Sequence, residues 1–252
     1  MNVLTIAAAQ SCSLAGDLEG NIQRHQRFME QAAEQGVELL VFPELSLTGY
    51  EPGLAPVLAV TLDAEVLQPL SELARELRLV TVVGLPIRLA AGGPLLIGAL
   101  TFKADGSRQL YSKQHLHTGE EQVFTPGGGG AALTLGADTV ALSVCADFSH
   151  ASHALQAARS GANLYASGVL VSENGYATDS ALLQGYAREH DMAVLMANHG
   201  GVTGGWVSAG RSAIWAAGGQ RVAAAAGVGD VLVIGRRVEG MWRGEVVEVE
   251  GL

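Results

Sequence analysis

The sequence predicts an α/β fold, a mixed sheet or sheet pair covered by helices, and three observations carry that expectation. Short apolar runs alternate with segments of helical periodicity, and hairpin signals interrupt the alternation. The 33 glycines and only 16% charged residues suit tight turns between buried strands. With 252 residues, 48% of them hydrophobic, the chain can fill one large core, and neither a linker nor an internal repeat divides it.

The elements follow in order. VLTIAAAQ reads as a buried strand, and DLEGNIQRHQRFMEQAAEQG as a helix with a capping residue, apolar positions at Ile22, Met29 and Ala33, and a terminating Gly36. VELLVFPE is an apolar run short enough for a strand. Val66, Leu70, Leu73 and Leu77 recur at spacings of four, three and four, building one apolar helix face before the run LRLVTVVGLP. LLIGALTFKADGSRQLYSK holds two β-rich runs joined by Asp105-Gly106, a pair that tolerates the positive φ of a tight hairpin. TVALSVCAD predicts a strand, SHALQAARSG a short helix, ANLYASGVL a strand, SALLQGYAREH a helix and MAVLMAN a strand. Hairpin-like runs fill the C-terminus.

Charge narrows the partners. A formal charge of −10 with only 15 lysines and arginines disfavours nucleic acid, which needs clustered cations. No apolar stretch approaches the roughly 20 residues that span a bilayer, and the opening MNVLTIAAAQ lacks the basic start of a signal peptide. A cytoplasmic protein is expected. Cys12 and Cys145 cannot make a disulfide framework and are read as thiols, Cys12 structural.

Three polar side chains end apolar runs: Glu44 in VFPE, Lys113 in LYSK and Cys145 in LSVC. Cysteine attacks as thiolate, scarce at neutral pH for a thiol of pKa about 8.5, so a base or cation must assist. Glu44 can take the proton, and the Lys113 ammonium can stabilise both thiolate and oxyanion. Taken singly, each residue reads as an ordinary core thiol or solvated strand-end charge; the functional reading needs them together.

FPELSLTGY, YSKQHLHTGEEQVFTPG and VCAD, in that order, resemble the nitrilase or carbon–nitrogen hydrolase superfamily, and with MANHGG and GRSAIWAAGG the resemblance spans residues 1 to about 225. It implies a four-layer αββα sandwich, residues 1–252 forming a single domain, paired into a homodimer and using no cofactor or metal. It implies a Glu-Lys-Cys triad cleaving non-peptide C–N bonds: Glu44 as general base, Lys113 as the cation at the oxyanion, Cys145 as nucleophile, and the Ala146 N–H completing the oxyanion hole. Its E-x-x-x-F-x-P-G run selects Glu120, not Glu121, to orient Lys113. The expected activity is a small-molecule amidase passing through a Cys145 thioester. Nitrile and N-carbamoyl amino acid hydrolysis use the same triad, and a catalytically inactive interaction subunit is the reading from another class.

The chain departs from its relatives in two places. Phe148-Ser149-His150-Ala151-Ser152 stands where many carry Phe-Pro-Glu, and VSENGYATDS where they often carry a Pro- and Trp-containing loop. Ser172, Glu173 and Asn174 offer polar contacts to substrate or simply cap a turn, and Tyr50 and Phe148 are candidate pocket walls. Cys145, His150 and His153, or His115, His117 and Glu120, have the wrong spacing for a zinc signature. Gly127–Gly130 lacks the Lys-Ser or Lys-Thr of a phosphate loop and reads as a flexible turn. Nothing in the sequence shows that Asp147 and Arg211 meet as an ion pair.

Overall fold

Strand β1 (Val3–Gln10) shows how the layers arise. Leu4, Ile6 and Ala8 face one way and Ala7 and Ala9 the other, and all five are buried, so both sides of the strand need a cover. In the computed structural model, which describes residues 3–252, the first set meets a second sheet and the second set meets helices.

The first sheet joins, in spatial order, β15 (Met241–Glu248), β14 (Val231–Val238), β1, β2 (Leu39–Val41), β3 (Val80–Arg88), β4 (Leu95–Phe102) and β5 (Arg108–Ser112). Only β1, β2 and β3 run parallel. The second sheet joins β13 (Arg221–Ala224), β12 (Ala213–Trp215), β9 (Ala193–Asn198), β8 (Leu164–Val169), β7 (Asp138–Val144) and β6 (Leu133–Leu135). Its parallel centre is β7, β8 and β9. A separate ribbon pairs β10 (Val202–Thr203) with β11 (Trp206–Val207).

Inner faces meet through Ile6, Val41, Val82 and Ile97 on one side and Val140, Leu142, Leu164 and Leu195 on the other. Helices α1 (Leu18–Glu34) and α3 (Gln68–Leu77) cover the outer face of the first sheet, with the short α2 (Ala55–Leu58) between them in sequence. Helices α4 (Ala151–Arg159) and α5 (Tyr176–Glu189) cover the second sheet. The result is the expected αββα sandwich.

Local differences from the sequence reading have physical causes. Residues Glu65–Leu67 form a 3₁₀ turn before α3, and the fully buried stripe is Leu67, Leu70, Ser71 and Ala74, with Val66, Leu73 and Leu77 only partly covered. A turn of three residues per revolution rotates the face by about one position. In the β4–β5 hairpin only Gly106 takes a positive φ, of 83°. Asp105 instead accepts from the Ser107 N–H and hydroxyl at 2.8 and 2.6 Å. Asp17 caps α1, accepting the Gly20 N–H at 2.9 Å.

Two glycines position the segment after β2. A Cβ on Gly84 of β3 would lie 2.3 Å from both Pro43 O and Leu45 N, and one on Gly168 of β8 would lie 2.5 Å from Phe42 O. Residues 42–45 therefore thread between the sheets where only hydrogen fits. Gly84→Ala should lower stability by about 1–3 kcal/mol, the usual cost of overpacking, read as a melting-temperature drop of several degrees. Gly53→Ala, whose Cβ would meet nothing within 4 Å, should leave the melting temperature unchanged; equal behaviour of the two variants would refute the threading argument.

Candidate active site

The backbone around Glu44 is held at several points. Phe42 N–H donates to Val82 O at 2.9 Å, and the Phe42 ring stacks on His25 at 3.9 Å. His25 in turn receives the Ser46 hydroxyl at 2.9 Å, and that hydroxyl accepts the Gly84 N–H at 3.2 Å. His199 donates from Nε2 to the Glu44 carbonyl at 2.8 Å. Burial lowers His25 to about 3 and His199 to about 4, so both rings are neutral struts. Leu45, at φ 52°, then turns the chain away.

Lys113 follows β5 directly. Its N–H donates to Ile97 O at 2.9 Å, and its carbonyl accepts the Gly127 N–H at 2.6 Å. The glycine run after Pro126 is therefore no flexible turn: Gly129 exchanges backbone hydrogen bonds with Ser112 at 3.0 Å, extending the sheet edge beside the lysine. The ammonium donates to Glu44 Oε1 at 2.6 Å and to both Glu120 oxygens at 2.7 Å. Glu120 also accepts the Tyr50 hydroxyl and the His117 N–H, each at 2.7 Å. Its neighbour Glu121 is exposed and accepts the Gly119 N–H instead.

Cys145 follows β7 directly, at φ 42°, a rare conformation for a residue with a side chain, and opens the 3₁₀ turn Cys145–Ser149. Its Sγ lies 3.7 Å from Leu170 O. Asn198 fixes that carbonyl's segment, accepting the Val171 N–H at 2.9 Å and donating to Val171 O at 3.0 Å. Asp147, fully buried, ties the cysteine turn to the lysine loop. Oδ1 accepts the Gln114 and His115 N–H groups at 3.0 and 2.9 Å, and Oδ2 accepts the Tyr111 hydroxyl at 2.7 Å and the Val144 N–H at 3.0 Å. It also contacts His115 Nδ1 at 3.1 Å, while Arg211 pairs with Glu173, so Asp147 and Arg211 are not partners.

Electrostatics assign a resting state. Burial raises Glu44 to about 7, with Lys113 opposing and Glu120 adding. Burial alone would lower Lys113, but Glu44, Cys145 and Glu120 outweigh it and hold the ammonium above its usual range. Burial, reinforced by Glu44, pushes the Cys145 thiol well above its usual value. At neutral pH the site therefore rests as thiol, ammonium and a carboxyl poised to exchange a proton. Glu44 Oε2 is buried without a hydrogen-bond partner among the described residues, free to receive one.

These groups border a cavity of about 260 Å³, lined by Glu44, Tyr50, Glu120, Cys145, Ala146 and Phe148. Ser172 reaches the cavity; Glu173 and Asn174 do not, being exposed, with Glu173 bound to Arg211 at 2.9 Å. Asp179 and Trp206, absent from the sequence reading, also line it, as does His117, which the sequence offered only as a metal ligand. The Gly204-Gly205 pair before Trp206 was the available signal for a protruding ribbon. Among the described residues no three His, Cys, Asp or Glu side chains are placed to hold a metal ion: His115 stacks on His150 at 3.9 Å, and His153 bonds Tyr111 and Tyr165. No helix among them is long and apolar enough to cross a membrane.

Comparison with known proteins agrees with this fold. Several solved structures of one protein, an amidase of the nitrilase superfamily from Nesterenkonia sp. AN1, superpose closely. A variant with acrylamide added at its active-site cysteine is 27% identical, with TM-score 0.82 and 92% of each chain covered. A cysteine-to-alanine variant in complex with butyramide is 27% identical, with TM-score 0.83, covering 92% of this chain and 89% of that one. A double variant in complex with acrylamide is 26% identical, with TM-score 0.84, covering 94% and 91%. The profile of the carbon-nitrogen hydrolase family matches residues 5–236, and the chain belongs to that family of enzymes.

Proposed function

We propose that the protein is an amidase for small aliphatic amides, working through a thioester at Cys145 in a single domain spanning residues 1–252. The observation that carries the reading is the Lys113 ammonium held between Glu44 and Glu120 beside the cavity onto which Cys145 opens. Acrylamide and butyramide bound by the Nesterenkonia amidase suggest the size of the acyl group.

In this reading Cys145 Sγ adds to the amide carbon as Glu44 accepts the thiol proton. The Ala146 N–H donates to the oxyanion, and Lys113, whose N–H donors are held by Glu44 and Glu120, stabilises it through its positive charge. Glu44 returns the proton to the departing nitrogen, and ammonia or an amine leaves. Glu44 then deprotonates a water that attacks the thioester, releasing the carboxylic acid and restoring the thiol. Glu120 keeps Lys113 charged and aimed. A cytoplasmic setting suits a mechanism that requires Cys145 reduced, and a homodimer, checked by sedimentation equilibrium, completes the proposal.

Cys145→Ala should cut ammonia release from butyramide by roughly 10³-fold or more, as for other catalytic nucleophiles. With Glu44→Gln, acylation and deacylation both lack their base, so butyramide turnover should fall comparably; in the unaltered enzyme, acid quenching during butyramide turnover followed by intact-protein mass spectrometry should reveal a butyryl adduct that peptide mapping places on Cys145, and an adduct elsewhere would overturn the assignment. The panel should include nitriles and N-carbamoyl amino acids, and silence on every substrate would favour an inactive interaction subunit.

The pH profile supplies a second test. Glu44 must be ionised to accept the thiol proton, and its carboxyl sits at about 7, so kcat/KM should fall as pH drops through about 7 and level off above it. A flat profile from pH 5 to pH 8, a window of about three units around neutrality, would remove Glu44 as the base.

A further inference from the structure

The outer part of the cavity carries charge that the catalytic cycle does not use. Asp179, in the first turn of α5, lines the cavity half-buried, and its carboxylate has no hydrogen-bond or ion-pair partner among the described side chains. Burial raises its pKa, with His117 opposing, so the ionised form is short of solvation. Facing the same space is Trp206 on β11, 46% exposed, with its ring centroid 6.3 Å from that of His117. No lysine or arginine among the described residues lines the cavity; Lys113 is fully enclosed by Glu44 and Glu120. The ionisable lining is thus Glu44, Glu120, Asp179 and the exposed His117, beside the Cys145 thiol.

We propose that this cavity selects amides whose acyl chain ends in a cationic amino group, the ammonium pairing with Asp179 and lying against Trp206. An ammonium there gains a charge-assisted hydrogen bond and a cation–π contact. It also relieves an unpaired, half-buried carboxylate. A substrate ending in a carboxylate meets no cation and an acidic wall, which disfavours N-carbamoyl amino acids. The space of about 260 Å³ equals roughly eight or nine water volumes at about 30 Å³ each, enough for an amino-acyl amide of a few carbons. The inference rests on the amidase reading.

Its test is a charge series on a four-carbon acyl chain: kcat/KM for butyramide, γ-aminobutyramide and succinamate, with pentanamide as the neutral match in length. The expected order is cation over neutral over anion, with a cation-to-neutral ratio of about tenfold, typical of a hydrogen bond to a charged group, shrinking as salt rises. Asp179→Asn should bring that ratio towards one, and Asp179→Lys should reverse the order in favour of succinamate. Should the variants fail to fold, the wild-type ratio and its salt dependence still decide. Butyramide turnover without charge preference, or a preference kept in Asp179→Asn, overturns the inference alone; no turnover of any amide overturns the amidase reading and the inference with it.

Discussion

One buried ammonium organises the site. Lys113 is fully enclosed, and its three N–H donors go to one oxygen of Glu44 and both of Glu120. Two carboxylates against one cation leave an excess negative charge in a region of low polarity, where like charges are costly. Burial first, and the Glu120 charge after it, raise the Glu44 carboxyl to about 7 against the opposing pull of Lys113. Glu120 is better supplied, with the Tyr50 hydroxyl and the His117 N–H in addition to the ammonium. The same arrangement that makes the cluster expensive thus divides the labour: one carboxylate stays committed to the lysine, the other is able to trade a proton. Removing the lysine would strand two buried carboxylates, a loss of order 3–5 kcal/mol in comparable buried pairs.

The cluster depends on the sandwich because its members come from different sheets. Glu44 and Lys113 follow β2 and β5 of the first sheet, and Cys145 follows β7 of the second. Asp147 is the tie between them: its four backbone and tyrosine bonds connect the loop after β5 to the turn after β7. Gly84 and Gly168, one from each sheet, set the gap through which the glutamate segment passes. Sheet separation, loop register and the lysine's position are therefore one mechanical problem.

Much of this was legible in the sequence because Glu44, Lys113 and Cys145 each end an apolar run, where periodicity and chemistry coincide. The strand and helix order followed from the same periodicity, and Glu120 was separable from Glu121 only through the resemblance to relatives. The outer wall was not legible. Glu173 and Asn174 precede α5 as plausible contacts, yet they face solvent, while Asp179 a few residues on reaches the cavity. Trp206 depends on long-range contacts: Thr203 Oγ1 accepts the Tyr50 N–H at 2.8 Å, and Glu51 accepts the Gly204 N–H at 2.9 Å. Such tertiary hydrogen bonds leave no local pattern.

Two of the left-handed residues of the chain stand at the site. Leu45, immediately after the glutamate, and Cys145 itself adopt φ of 52° and 42°. Left-handed residues with side chains cost on the order of 1–3 kcal/mol each. Cys145 turns the chain directly after β7 and Leu45 turns it directly after Glu44, so that a side chain stays at the cleft while the backbone turns aside. The surrounding hydrogen bonds hold both turns in place: His199, His25 and Gly84 around Leu45, and Asp147 with the Asn198-braced Leu170 segment around Cys145. Several of these braces are neutral, buried polar groups that would be unsatisfied if the turns relaxed, a penalty of about 1–3 kcal/mol apiece. The strained turns and the buried charges are thus stabilised together, and loosening either would release the other.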